Sequence, residues 1–471
     1  MKIVDKIYVN GAFVKPHGTV TFDLISPATQ ELLGKVTLAD ATDAQMAIAA
    51  AGKAFKTWSK TTREERIGYL EKMHAAVLKR KQDLIDVMVA EYGGTLSFST
   101  SSVQYALDAI TSNITLLKQF DFEKKLGNST VVLDPVGVAG IITPWNASNS
   151  FICNKLSTAL AAGCTAVIKP SEMSALQTQV LTEALHEAGL PNGVFNIVTG
   201  LGPEVGAELT RNPGIAKISF TGSTIVGKTI ARDGVETMKR VTLELGGKSP
   251  NIILHDADLS KAIPLSVAAA FMNNGQACIA GTRLLVPEDQ LEEVKTLLKK
   301  AVTGVKVGNP ADADTHVGPM VSKKQYERVQ GYIKTGVEEG AELLIGGMGH
   351  PEGLESGNFV KPTVFVNVKN TMRIAREEIF GPVLSVISYK TEEEAIDIAN
   401  DTTYGLAAYI QGEDAEKARR VAARLEAGRV AINGFKHDPM APFGGFKQSG
   451  IGREYGVYGL EAYLEPKTVL V

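Results

Sequence analysis

Between residues 136 and 250, short apolar runs alternate with longer segments of helical spacing. Val138-Ala139-Gly140-Ile141-Ile142, Ala166-Val167-Ile168-Lys169, Phe195-Asn196-Ile197-Val198, the run 216–220 and Val241-Thr242-Leu243-Glu244-Leu245 read as buried strands. The intervening stretches 151–162, 175–188, 205–210 and 225–231 read as helices, and 175–188 has the exit signature of Gly189 followed by Pro191. Strands alternating with helices specify a parallel sheet covered on both faces, a doubly wound, dinucleotide-type α/β domain. A second α/β alternation fills 250–446, with helices expected over 291–302, 323–339 and 391–399. The last opens with three acids, which suit a helix N-terminus.

The flanks differ. The first 40 residues read as short strands and turns, with Ile7-Tyr8-Val9-Asn10-Gly11 entering a turn and Ser26-Pro27-Ala28 a break. Helices follow over 42–60, from the capping box Thr62-Arg63-Glu64-Glu65, through Leu84 and Met88 to Gly93-Gly94, and over 100–118. Ile67, Leu70, Met73 and Val77 share one face of the second. Residues 120–133 turn polar around Gly127-Asn128 and predict a projecting hairpin. The tail 462–471 alternates apolar residues with no closing turn, which predicts a strand pairing outside its own domain.

A chain of 471 residues exceeds one hydrophobic core, so two or three domains are expected. A net charge of -3 argues against a nucleic-acid or membrane-surface binder. Cys153, Cys164 and Cys278 are few and odd in number, which suits a reducing compartment and a cytoplasmic location. No signal peptide, apolar span of membrane length or Cys/His cluster with metal-ligand spacing is apparent.

Chemistry gathers at strand ends, where open α/β sheets bind ligands. Thr221-Gly222-Ser223-Thr224-Ile225-Val226-Gly227 is a glycine loop between strand and helix, able to turn bare amides toward a pyrophosphate or simply to make a turn. Lys169 and Glu172 could hold ribose hydroxyls or form a surface ion pair. Glu244 ends an apolar strand beside Gly246 and Gly247, where desolvation would raise its pKa into the range of a general base. Asn146 offers an uncharged amide donor for an oxyanion. Cys278 lies among small and polar residues, Asn273-Asn274-Gly275-Gln276-Ala277-Cys278-Ile279-Ala280-Gly281, at a bend between a helix and a strand. A free cysteine is more often a small core residue. Together with a base, an amide donor and a dinucleotide cradle, it can attack an aldehyde, support hydride transfer to nicotinamide and release the acid by thioester hydrolysis.

Over essentially its whole length the chain resembles the aldehyde dehydrogenase superfamily. The motifs are 142–146 (Ile-Thr-Pro-Trp-Asn), 220–224 (Phe-Thr-Gly-Ser-Thr), 243–248 (Leu-Glu-Leu-Gly-Gly-Lys), 275–278 (Gly-Gln-Ala-Cys), 377–382 (Glu-Glu-Ile-Phe-Gly-Pro) and 442–450 (Pro-Phe-Gly-Gly-Phe-Lys-Gln-Ser-Gly). The resemblance implies Cys278 as nucleophile, Glu244 as the base for the deacylating water, and Asn146 with the Cys278 amide as oxyanion hole. For the cofactor it implies Ile142, Thr143, Pro144, Trp145, Lys169, Ser171, Glu172, Gly222, Ser223, Gly227, Leu245 and Gly246, with Glu378 on the nicotinamide ribose and Phe380 against the nicotinamide. NAD is the expected cofactor, since Glu172 would repel a 2'-phosphate; NADP is the alternative. The implied division is a dinucleotide-binding domain from 1–116 and 136–246, a catalytic domain from 247–446, and an oligomerisation element from 117–135 and 447–471, building a homodimer or homotetramer.

After Trp145-Asn146 the family usually continues Phe-Pro, whereas this chain has Ala147-Ser148, and Asn154 stands where many members carry an aromatic. This predicts a wide, polar funnel for a polar or bulky aldehyde, lined by Phe151, Asn154, Ile279, His437 and Phe443. A coenzyme A-acylating enzyme, a cofactor-independent cysteine esterase and a fold-only structural protein are the competing readings. Glu244 argues against the first, the glycine loop and Glu378 against the second, and the joint presence of Cys278, Glu244 and Asn146 against the third.

Overall fold

The computed structural model describes residues 1–470. Its largest sheet has eight strands, in the order Gly450–Ile451, Arg240–Glu244, Lys217–Thr221, Val138–Ile142, Thr165–Lys169, Phe195–Ile197, Ile7–Val9 and Ala12–Val14. The strands from Arg240–Glu244 through Phe195–Ile197 are parallel. They are almost wholly buried, which explains their unbroken apolar runs. Their register aligns the chemically loaded ends: Ile142 pairs with Lys169 and with Phe220, and Thr221 pairs with Glu244. Loops after these strands therefore leave from one edge of the sheet.

The edge strands were not legible as part of this sheet. Ile7–Val9 and Ala12–Val14 form a hairpin that adds antiparallel to Phe195–Ile197. At the other edge Gly450–Ile451 pairs antiparallel with Leu243 and Glu244. A Cβ on Gly450 would lie 2.1 Å from the Leu243 carbonyl, so glycine is needed there.

A second sheet runs Glu342–Ile345, Thr363–Val366, Val383–Tyr389, Arg283–Pro287, Pro250–Ile253, Ala407–Gln411, Arg429–Ile432, parallel except at Glu342–Ile345. The predicted helices stand at Leu291–Thr303, Lys323–Glu338 and Glu392–Asn400. In the first unit, the Thr62 capping box opens the helix Arg63–Lys79 as predicted, with Leu70, Met73 and Val77 in the core.

The predicted hairpin is Glu123–Leu126 and Ser129–Pro135. The tail strand Leu464–Leu470 pairs antiparallel along Ser129–Pro135, completing a three-stranded sheet. One boundary requires correction. Residues 447–463 do not leave with the tail: Gly450–Ile451 joins the large sheet, and Leu460 and Tyr463 lie in the core beneath it. Their apolar side chains have a closer surface to bury against. No helix is long and apolar enough to cross a membrane among the described residues.

Candidate active site

The helix Leu259–Phe271 gives way to a turn in which Asn273 (φ 51) and Asn274 (φ 60) are both left-handed. Asparagine tolerates that region better than most residues. The turn carries the chain to Cys278, which is partly exposed at a bend. A Cβ on Gly275 would lie 2.2 Å from the Gly381 carbonyl carbon, so this loop packs backbone to backbone on the segment after Phe380. Burial, then the charges of Glu378 and Glu244, push the Cys278 thiol up to about 12, while the Cys278 and Ile279 amides act the other way.

Glu244 is 2% exposed, and neither carboxylate oxygen has a hydrogen-bond partner. Burial first, and the charge of Glu454 second, raise its pKa well above the usual carboxylate value. Gly444 (φ 153) comes so near that a Cβ there would stand 2.7 Å from Glu244 Oε1. Asn146 is buried and donates Nδ2 to the Gln276 carbonyl at 2.8 Å. One hydrogen of that amide is thereby used and the other is free. Sulfur, carboxylate and carboxamide, far apart in the chain, are thus gathered at the edge of the large sheet.

The cofactor candidates line the same edge. Thr143 follows the strand Val138–Ile142, and its buried hydroxyl has no partner, as is true of Thr221. Lys169 Nζ lies 3.6 Å from Glu172, and burial lowers the Lys169 pKa. The Ser171 hydroxyl accepts from the Met173 amide, and the Ser223 hydroxyl from the Val226 amide at the start of the helix Thr224–Gly234. Gly227 lets that helix lie close to Leu245, just past the strand Arg240–Glu244 that follows it, since a Cβ would meet the Leu245 side chain at 2.4 Å. Gly246 leaves room for Glu378, which accepts from the Gly247 amide at 2.9 Å and whose carboxyl burial pushes up to about 7. Phe380 is held at φ 62, unusual for an aromatic residue, with its ring edge-on to Trp145 at 5.6 Å; Pro144 is half-buried beside Trp145.

The substrate candidates divide. Phe443, Tyr455, His437 and Tyr105 form a line of rings with successive centroids 6.3, 5.0 and 5.5 Å apart, beginning next to Gly444. Phe151 is half-buried, and the Ile279 carbonyl accepts from the Tyr409 hydroxyl at 2.8 Å. Asn154 is the exception. It is 2% exposed and donates to Glu454 at 3.1 Å, so its carboxamide does not make a funnel polar. Glu454 also pairs with Lys155, which donates to Ser219 at 3.1 Å. A buried acid and lysine compensate each other and recruit the nearest amide. Sequence reasoning assigned no role to Lys155, Glu454, Tyr92 or Asn273. A lysine within the otherwise uncharged helix Ser148–Ala162 was the available signal for the first pair.

A family model described as the aldehyde dehydrogenase family matches residues 13–469. A 3-succinoylsemialdehyde-pyridine dehydrogenase from a Pseudomonas species is 44% identical over 472 residues, covering 100% of this chain and 99% of that protein. Aldehyde dehydrogenase C of Pseudomonas syringae, solved as a cysteine-to-alanine mutant with NAD+ and octanal, is 45% identical with a TM-score of 0.98, covering 99% of this chain and 96% of that one. The betaine aldehyde dehydrogenase of Staphylococcus aureus, solved with NAD+, is 36% identical with a TM-score of 0.96, covering 99% and 94%. This chain belongs to the aldehyde dehydrogenase family, oxidoreductases that act on aldehydes.

Proposed function

We propose that the protein oxidises a bulky aldehyde to its carboxylic acid with NAD+, through a thiohemiacetal and then a thioester on Cys278. Water deprotonated by Glu244 hydrolyses the thioester. The observation that carries this reading is Glu244 itself: a buried, unbonded carboxyl with a raised pKa, suited to exchange a proton rather than to hold a permanent charge.

The sheet edge fits a dinucleotide. The Thr143 and Thr221 hydroxyls are buried without partners, and Gly222 leads into a helix start where Ile225 and Val226 are exposed. Lys169 and Glu172 would hold the adenosine ribose, Glu378 the second ribose and Phe380 the nicotinamide. Bound there, NAD+ would supply a hydride acceptor and a positive ring offsetting the negative field of Glu378 and Glu244. Glu172 disfavours a 2'-phosphate, and two similar structures hold NAD+.

The Cys278 thiol gives up its proton to water as Sγ bonds to the carbonyl carbon. Asn146 and the Cys278 amide receive the negative oxygen. After oxidation, Glu244 takes a proton from water, the new oxygen bonds to the acyl carbon and the sulfur leaves. The aromatic line from Phe443 to Tyr105 favours bulk in the substrate, while the ground for a polar funnel goes with Asn154. The three-stranded sheet, with Leu126, Val469 and Leu470 exposed, is the surface proposed for a homodimer or homotetramer.

The test is absorbance at 340 nm with a panel of aldehydes, run with NAD+ and NADP+ and without coenzyme A. Glu244→Gln should give a burst of NADH followed by a slow steady state, about 100-fold or more below wild type. Uniformly slow progress without a burst would remove Glu244 from deacylation. Turnover only with coenzyme A would favour the acylating alternative.

A further inference from the structure

Tyr92 ends the helix Lys81–Tyr92, immediately before Gly93 in the left-handed region (φ 77). It is fully buried, and its hydroxyl works twice, donating to Asn273 Oδ1 at 2.7 Å and accepting from Gln276 Nε2 at 3.1 Å. Asn273 Nδ2 then donates to the carbonyls of Asn146 at 3.1 Å and Gln276 at 3.2 Å. The same Gln276 carbonyl accepts from Asn146 Nδ2. Gln276 Oε1 accepts from the Val321 amide at 3.0 Å, and the Tyr92 ring lies 5.7 Å from that of Trp145.

The direction of the Asn273 bonds is set at both ends, by the Tyr92 O–H on its oxygen and by the Asn146 and Gln276 carbonyls on its amide. A carboxamide presents an acceptor at one end and donors at the other. The Tyr92 O–H holds the Asn273 oxygen toward itself, which turns the Asn273 amide onto the two carbonyls. Were Asn273 flipped, its oxygen would face two carbonyl oxygens in a buried site. We propose that Tyr92 is a positioning residue for aldehyde oxidation, its hydroxyl setting the Asn146 carboxamide through Asn273 and Gln276. The proposal rests on the reading of Asn146 as oxyanion donor. Fully buried, Tyr92 presents no surface to a ligand; its effect is on the angle at which Asn146 meets the oxygen.

The experiment is pre-steady-state NADH formation with hexanal and NAD+ for wild type, Tyr92→Phe, Asn146→Ala and the double variant. Tyr92→Phe keeps the ring and should slow the burst about 10-fold to 100-fold, with KM for hexanal and Kd for NAD+ within about twofold of wild type. In the Asn146→Ala background it should cause no further loss. Asn273→Gly, which keeps access to the left-handed backbone, should repeat both results and serves where Tyr92→Phe fails to fold. An unchanged burst in Tyr92→Phe, or an equal further loss in the Asn146→Ala background, overturns the proposal while Asn146 keeps its role. An Asn146→Ala enzyme at the wild-type rate overturns the oxyanion assignment and this proposal with it.

Discussion

Gly247 faces the backbone carbonyl of Cys278 so closely that a Cβ on the glycine would stand 2.3 Å from that oxygen. The loop after Glu244 therefore lies flat on the nucleophile loop. The Gly247 amide also donates to Glu378, so one residue without a side chain joins three segments of the site.

Gly247→Ala would force these loops apart. Misplacement by about 1 Å can cost on the order of 100-fold in rate. The expected result is a fall in kcat/KM of that order, accompanied by a lower unfolding temperature. Wild-type kinetics in the alanine variant would show that the approach is not needed.

Cys278→Ala should abolish aldehyde oxidation and leave NAD+ affinity, read by quenching of NADH or protein fluorescence, within about threefold. Cys153→Ala and Cys164→Ala should keep the wild-type rate constant for oxidation. Both sulfurs are buried in the core of the first unit, with burial pushing them up to about 12 and about 11. Retained oxidation in Cys278→Ala would end the covalent mechanism.

The resting thiol of Cys278 should be protonated. With its pKa pushed up to about 12, alkylation by iodoacetamide in the absence of cofactor should climb with pH throughout the range to pH 10, without a plateau. Glu244→Gln removes a group whose ionised form raises the thiol and should speed alkylation at the pH values where Glu244 is ionised. A plateau near neutrality would mean that the field of the two carboxylates is compensated in solution.

A separate pH effect is expected from Glu91, which accepts from the Leu176 amide at 2.7 Å and the Gln177 amide at 3.0 Å. Burial raises its pKa from 4.5 to about 7. A raised carboxyl pKa means that the fold prefers the protonated form. The contribution is complete below the ordinary carboxylate range and is lost as pH rises to about 7, amounting to about 3 kcal/mol at about 1.4 kcal/mol per pH unit. Thermal unfolding at pH 5 and pH 8 should show a larger fall for wild type than for Glu91→Gln. Equal falls would show that Glu91 is not desolvated enough to matter.

Where local pattern and tertiary demand coincide, the linear chain was a sufficient guide. The parallel strands are buried on both faces, so each had to be an apolar run, and Thr143, Lys169, Gly222 and Glu244 had to stand at or just past their ends. The capping box at Thr62 and the hairpin at Gly127-Asn128 are satisfied within a few residues and were read with little error. Cys278, Glu244 and Asn146 were proposed from the chemistry of their residue types, and Glu378 and Phe380 from the resemblance of their motif to the family's.

Contacts between distant segments were settled only in three dimensions. Asn154 looks like a funnel residue until folding brings Glu454 within 3.1 Å of it; a buried carboxylate paired with Lys155 still needs a donor for its second oxygen, and no local pattern says which that will be. Gly450 joins the Glu244 strand because glycine alone fits against Leu243, a fit that exists only after the sheet has formed. Tyr92 falls unremarked at the end of a predicted helix, yet its hydroxyl bonds Asn273 and Gln276 across 181 and 184 residues. Periodicity and motif describe what a segment must bury or present. The partner of each buried polar group is decided by which chains meet at the same point in space.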